Sequence, residues 1–135
     1  MTAMKPRNTS PAEILALARA LIAAARDSRL DEIARICAPH AVAWHNVTDK
    51  TVSLTESLRI FGALAAEITS LNYEDIRITP LEGGYVQQHT LVGQIGDQSL
   101  RLSACIVCAV ENGQITRIEE FFDSGALKAV GLALS

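Results

Sequence analysis

The sequence predicts an α+β fold: three N-terminal helices packed on a strongly curved antiparallel sheet that closes into a conical barrel. Three observations predict it. Apolar residues recur at helical spacing only in the first half of the chain, up to about Ser70. From Leu71 the period changes to alternation, in runs parted by Gly83-Gly84, Gly96-Asp97 and Asn112-Gly113, a pattern of successive hairpins. Hydrophobic residues make up 49% of the chain and aromatics only 4%, so the core must be aliphatic. Helices laid over one face of a curling sheet leave a cone with an internal cavity.

Ser10-Pro11-Ala12-Glu13 opens the first helix, with Ser10 as cap, Pro11 in the first turn and Glu13 completing a capping box. Ile14, Leu17, Ala18, Leu21 and Ala25 carry it to about Arg26. Ser28 is expected to cap a second, shorter helix whose apolar side is Leu30, Ile33, Ala34 and Cys37, with Pro39 closing it. Residues 41–47 read as a strand. Alternation puts Val42, Trp44 and Asn46 on one face and Ala43, His45 and Val47 on the other. Thr48-Asp49-Lys50 reads as a polar loop. Ser53 and Glu56 form a second capping box for a third helix ending near Ser70. Strands are then expected over Tyr73–Pro80, Tyr85–Ile95, Ser99–Val110 and Ile115–Phe122, and Asp123 is positioned to cap a short helix over 126–130. Residues 1–9 are expected to be a flexible tail and residues 10–135 a single domain.

Bulk properties narrow the function. A chain of 135 residues suits one domain. Net charge is −3 with no basic stripe, which argues against a nucleic-acid partner. No apolar run is long enough for a membrane span, and the polar first ten residues lack a secretory signal, so a cytoplasmic location is expected. Cys37, Cys105 and Cys108 read as reduced, structural thiols. Cys105-Ile106-Val107-Cys108 has CxxC spacing, but positions three apart on a strand face opposite ways and cannot clasp one metal. His40, His45 and His89 fall on different elements, so no metal site is expected. No phosphate-cradling glycine loop appears, and no cofactor is expected.

The last strand carries the candidate chemistry. Thr116, Ile118, Glu120 and Phe122 share one face, so Glu120 sits between an isoleucine and a phenylalanine on what should be the inward side. A carboxylate there must be neutral, paired or lining a cavity. Its functional reading is a general base with a raised pKa; its structural reading is a carboxylate held by backbone or arginine. His89 shares a face with Gln87 and Leu91 and reads as a proton shuttle, an oxyanion donor or a core histidine. Asn46 can donate to a substrate oxygen or simply cap the loop that follows. Trp44 can wall a pocket, as can Leu91, Leu102, Ala104, Ile118 and Phe122. His45 is expected to point away. Tyr85 reads as a turn-packing aromatic, and Arg117 and Glu119 as outer-face residues.

The order of elements, Trp44-His45-Asn46 on the first strand, and the ending from Asn112-Gly113-Gln114-Ile115 through Glu119-Glu120-Phe121-Phe122-Asp123 resemble the nuclear transport factor 2-like superfamily. Within it they resemble SnoaL-like proteins, a group of polyketide cyclases, ketosteroid isomerase relatives and limonene epoxide hydrolase. The resemblance covers about Ser10 to Val130. It implies a cystatin-like cone with a pocket, a homodimer, and a compact apolar, oxygenated small molecule as partner. In limonene epoxide hydrolase a tyrosine and an asparagine project from the first strand; Trp44 and Asn46 hold those places here. Its Arg-x-Asp pair corresponds to His89 and Leu91, and its last-strand aspartate to Glu120. Losing the central aspartate argues against the same epoxide-opening triad, whereas the last-strand acid of the cyclases resembles Glu120. The resemblance therefore implies acid–base catalysis of an isomerase, cyclase or dehydratase type. The alternatives are a ligand-binding or assembly module without turnover, and epoxide-hydrolase-like water activation.

Overall fold

A computed structural model describes residues 8–132. Helix α1 (Pro11–Arg26) begins as its residues dictate: the Ser10 hydroxyl accepts from the Glu13 amide at 3.2 Å, and the Glu13 carboxylate accepts from the Ser10 amide. Most of the expected tail, residues 1–7, lies outside the described residues. Thr9 is not loose, since its hydroxyl accepts from the Gly113 amide at 3.1 Å.

Helix α2 (Leu30–Ile36) departs from expectation at both ends. Ser28 takes a left-handed φ of 53° and turns the chain, and Arg29 stands at the cap position without a side-chain bond. Cys37 already begins strand β1 (Cys37–His45), so Pro39 lies inside a strand rather than closing a helix. Proline is tolerated there because the β1 register is irregular between Cys37 and Val42, and its missing N–H costs no ladder bond. A short strand β2 (Lys50–Ser53) takes up part of the expected loop and pairs with β1.

Helix α3 (Leu54–Ala66) is capped by the Ser53 hydroxyl, which accepts from the Glu56 amide at 3.2 Å. The reciprocal half of the expected box is missing, because the Glu56 carboxylate turns to the Arg59 guanidinium at 2.7 Å. Then come β3 (Thr69–Leu81), β4 (Gly84–Ile95), β5 (Gln98–Glu111) and β6 (Gln114–Phe122), joined by the expected turns. Asn112 and Gly113 both have positive φ, 51° and 74°, the twist a two-residue hairpin needs. Asp123 caps helix α4 (Ser124–Lys128) by accepting from the Gly125 amide at 2.9 Å.

The six strands run in the order β2-β1-β6-β5-β4-β3. One expectation is corrected: β1 and β6 pair in parallel, so the sheet is mixed. Alternation encodes faces, not strand direction, and β1 meets β6 only after the chain has traversed the rest of the sheet. Helix α1 packs across the concave face with Ile14, Ala18, Leu21 and Ala25 against Tyr85, Ile106, Cys108 and Ile115. A second cluster of Ile68, Leu91, Leu100, Leu102 and Leu127 closes the other end under α4. The cavity lies between the two clusters. Cys37 and Cys108 are buried, free, and pushed up to about 11 and about 12 by burial, which leaves both as unreactive thiols. Among the described residues, no helix is long and apolar enough to cross a membrane.

Candidate active site

The concave face of the sheet presents its side chains in rows. Gln87 of β4, Ile106 of β5, Glu120 of β6 and His45 of β1 are register partners in one row. His89, Ala104 and Phe122 form the next, and Leu91 and Leu102 the one beyond. Leu21, Ile22, Ala25 and Ile33 of α1 and α2 and Leu54, Ser57, Leu58 and Phe61 of α3 cover these rows. Between them is a cavity of about 120 Å³. Its lining is apolar except for Ser57, Tyr73, Gln87, His89 and Glu120.

Glu120 is half-buried by its own surface, because that surface opens on the cavity. Burial among the apolar walls of the cavity desolvates the carboxyl and pushes it up to about 6. No arginine or lysine pairs with it among the described residues. His89 is buried, and burial pushes its imidazole down to about 4, so it is neutral at pH 7. Gln87, 1% exposed, lies with its Nε2 3.0 Å from His89 Nδ1. Tyr73 packs on the same ring, centroids 4.8 Å apart. Burial and the Glu120 charge both drive the Tyr73 hydroxyl well above its ordinary value, so it is a proton-bearing donor.

A β-bulge shapes this corner. Asp75 and Ile76 of β3 together oppose the single residue His89, and Asp75 takes a left-handed φ of 53°. Bulges bend a strand and re-aim its side chains, and this one lies beside Tyr73.

Leu91, Leu102, Ala104, Ile118, Phe122, His89 and Glu120 thus line one cavity. Trp44 and Asn46 do not. The parity of β1 is the reverse of that expected: Ala41 and Ala43 are the buried positions, and helix α3 packs against this strand. Trp44 is on the outer face, edge-on to Phe121 at 5.2 Å, with its Nε1–H donating to Asp49 at 2.9 Å. Asn46 lies past the end of β1 and extends the pairing with β6. Its Nδ2 donates to the Phe122 carbonyl and its Oδ1 accepts from the Phe122 amide, both at 3.0 Å. His45, expected outside, is on the inner side of the sheet, in ring contact with Phe122 at 5.9 Å, though it does not reach the cavity. Its proton affinity is lowered by burial. His40 is exposed on β1.

Sequence reasoning did not single out Tyr73, Gln87 or Ser57. Gln87 was findable, since it alternates with His89 on one face of β4. Tyr85 is fully buried in the core rather than packed at a turn, with its hydroxyl against the Cys108 thiol. Among the described residues, no three His, Cys, Asp or Glu side chains come together to hold a metal ion.

No protein-family model matches the chain, and no curated protein matches its sequence. Solved structures do match its fold. A proposed SnoaL-like polyketide cyclase from Jannaschia sp. CCS1 superposes with a TM-score of 0.79 at 14% identity, over 96% of this chain and 99% of that one. A proposed hydroxylase from Streptomyces galilaeus gives 0.80 at 18%, over 90% and 83%. An LEH-like epoxide hydrolase from M. tuberculosis gives 0.70 at 18%, over 88% and 89%. The chain therefore shares the fold of these SnoaL-like and ketosteroid isomerase-like structures.

Proposed function

We propose that this protein is an acid–base enzyme acting on a compact, largely apolar molecule with one oxygenated group. Glu120 removes a proton from the carbon next to a carbonyl, and His89 and Tyr73 donate hydrogen bonds to the oxygen as negative charge develops there. One observation carries the reading. A carboxyl with no cationic partner among the described residues, raised to about 6, shares an apolar cavity with a neutral imidazole and a protonated phenol. At pH 7 the acid is mostly ionised yet basic enough to accept a proton, and both donors keep theirs. The reaction class is an isomerisation, cyclisation or dehydration that begins by enolisation. The neighbour named as a SnoaL-like polyketide cyclase supports that class by fold alone.

Cavity size limits the substrate. An apolar cavity of roughly 150 Å³ holds benzene. One of about 120 Å³ suits a skeleton of five or six carbons, not a fused-ring polyketide. Water activation of the epoxide-hydrolase kind is disfavoured, because Leu91 stands in the cavity where the second acid would be needed. A homodimer through the outer sheet face is also part of the proposal; Phe121, 42% exposed there beside Trp44, supplies an apolar contact.

The test is solvent exchange. With cyclohexanone in D₂O, the wild-type protein should speed deuterium uptake at the carbons next to the carbonyl, and Glu120→Gln should lose that effect while still binding the ketone. Equal exchange with and without protein, despite binding, would favour the module without turnover.

A further inference from the structure

We propose that Gln87 is a positioning residue that holds His89 in the tautomer bearing its proton on Nε2, so that the ring presents an N–H donor to the cavity. The use of that donor on an oxyanion rests on the proposed function; the tautomer does not.

The geometry comes from one strand. Gln87 and His89 are two apart on β4 and share its inward face. The Gln87 amide nitrogen stands 3.0 Å from His89 Nδ1. An amide nitrogen only donates, so Nδ1 accepts and the ring proton of the neutral imidazole must be on Nε2. The opposite amide orientation would place Oε1 against an Nδ1–H and strand the NH₂ where Oε1 now lies buried without a partner. A buried carbonyl lacking a partner is tolerated better than a buried NH₂ with two idle donors. The orientation that strands Oε1 is therefore the cheaper one, and it fixes the tautomer. Neighbours hold the pair in place. Gln87 is wedged between Ile78 and Ile106, its register partners on β3 and β5. Tyr73 packs on the imidazole, and the small Ala104 opposite leaves the ring's other edge open to the cavity.

The consequence separates two roles that residue type alone left open. A histidine whose Nδ1 is occupied and whose Nε2 is protonated donates a hydrogen bond to the ligand; it does not accept a proton from it.

The experiment is ¹⁵N NMR at pH 7 on protein labelled at histidine nitrogens, with the His89 signals assigned by their loss in His89→Asn. The wild type should show Nε2 protonated and Nδ1 not. Gln87→Met keeps the side-chain length and removes the donor, and should give averaged signals of mixed tautomers. Gln87→Asn, too short to reach Nδ1, should do the same if the methionine variant folds poorly. A wild-type ring protonated on Nδ1, or a variant that keeps the single Nε2–H form, overturns the proposal. In the cyclohexanone exchange assay, Gln87→Met should lower the rate roughly tenfold at saturating ketone with binding unchanged, below the roughly 10²–10³-fold lost on deleting an oxyanion donor outright. Lack of exchange by the wild type alongside the expected tautomer would remove the enolisation reading and leave the role of Gln87 standing.

Discussion

Glu120 and His89 stand on the same concave face two strands apart, with Ile106 and Ala104 of β5 between them. Strands lie about 4.8 Å apart, so β6 and β4 are separated by roughly 10 Å. Neither side chain is bonded to the other; they address a ligand from opposite sides. That separation makes Glu120 free to be a base while His89 and Tyr73 hold the oxygen, and it gives the predictions their form.

Activity should follow the ionisation of Glu120. The carboxyl must be charged to take a proton, so kcat/KM for ketone exchange should rise with pH through about 6 and level off above it. His89, lowered to about 4, stays neutral throughout that rise and adds no second limb there. A profile flat from pH 5 to 8 would contradict this assignment.

The same carboxyl should weaken the fold. Its pKa is raised in the folded state, so the folded protein binds more protons than the unfolded one between pH 4.5 and about 6. Stability therefore falls as pH rises across that window, and the deficit is full above it. A shift of that size corresponds to about 2 kcal/mol. Glu120→Gln, which cannot ionise, should be more stable than wild type by up to about 2 kcal/mol at pH 8 and no more stable at pH 4, read by urea unfolding. His89 is present in both proteins and cancels in the difference.

Filling the cavity should remove binding without unfolding the protein. Ala104 stands in the row of His89, on the strand between those of His89 and Glu120, and lines the cavity. Ala104→Leu adds three carbons to a space of about 120 Å³, which can absorb them. Overpacking a filled core costs roughly 1–3 kcal/mol, so a cost below about 1 kcal/mol is expected here. Ketone binding by calorimetry should fall more than about tenfold, an effect of about 1.4 kcal/mol.

Asn46 should matter for stability and not for turnover. Asn46→Ala removes the two hydrogen bonds that tie the end of β1 to Phe122. At about 0.5–1.5 kcal/mol for each bond, unfolding should ease by about 1–3 kcal/mol, with the exchange rate per folded molecule unchanged.

The fold was legible because turn chemistry and period are local. Asn112-Gly113, the Ser10 box and the change of period at Leu71 each name an element without reference to the rest. Two features were not local. Alternation on β1 gives two faces but cannot say which is inward. The match of Trp44 and Asn46 to the first-strand pocket residues of limonene epoxide hydrolase suggested the wrong one, whereas the buried positions are Ala41 and Ala43. The parallel pairing of β1 with β6 was likewise invisible, being set by tertiary path. On β6 the same reasoning succeeded for Glu120, Ile118 and Phe122, since a hairpin to β5 fixes the register. Tyr73 was passed over because the bulge after Glu74 breaks the alternation that would have marked it.

The most direct measurement is the titration of the Glu120 side-chain carboxyl by ¹³C NMR, assigned by its loss in Glu120→Gln. An acid enclosed by the cavity should titrate near 6. A midpoint at or below the ordinary 4.5 would mean that the carboxylate is solvated or paired, and it would contradict the account of Glu120 as the base.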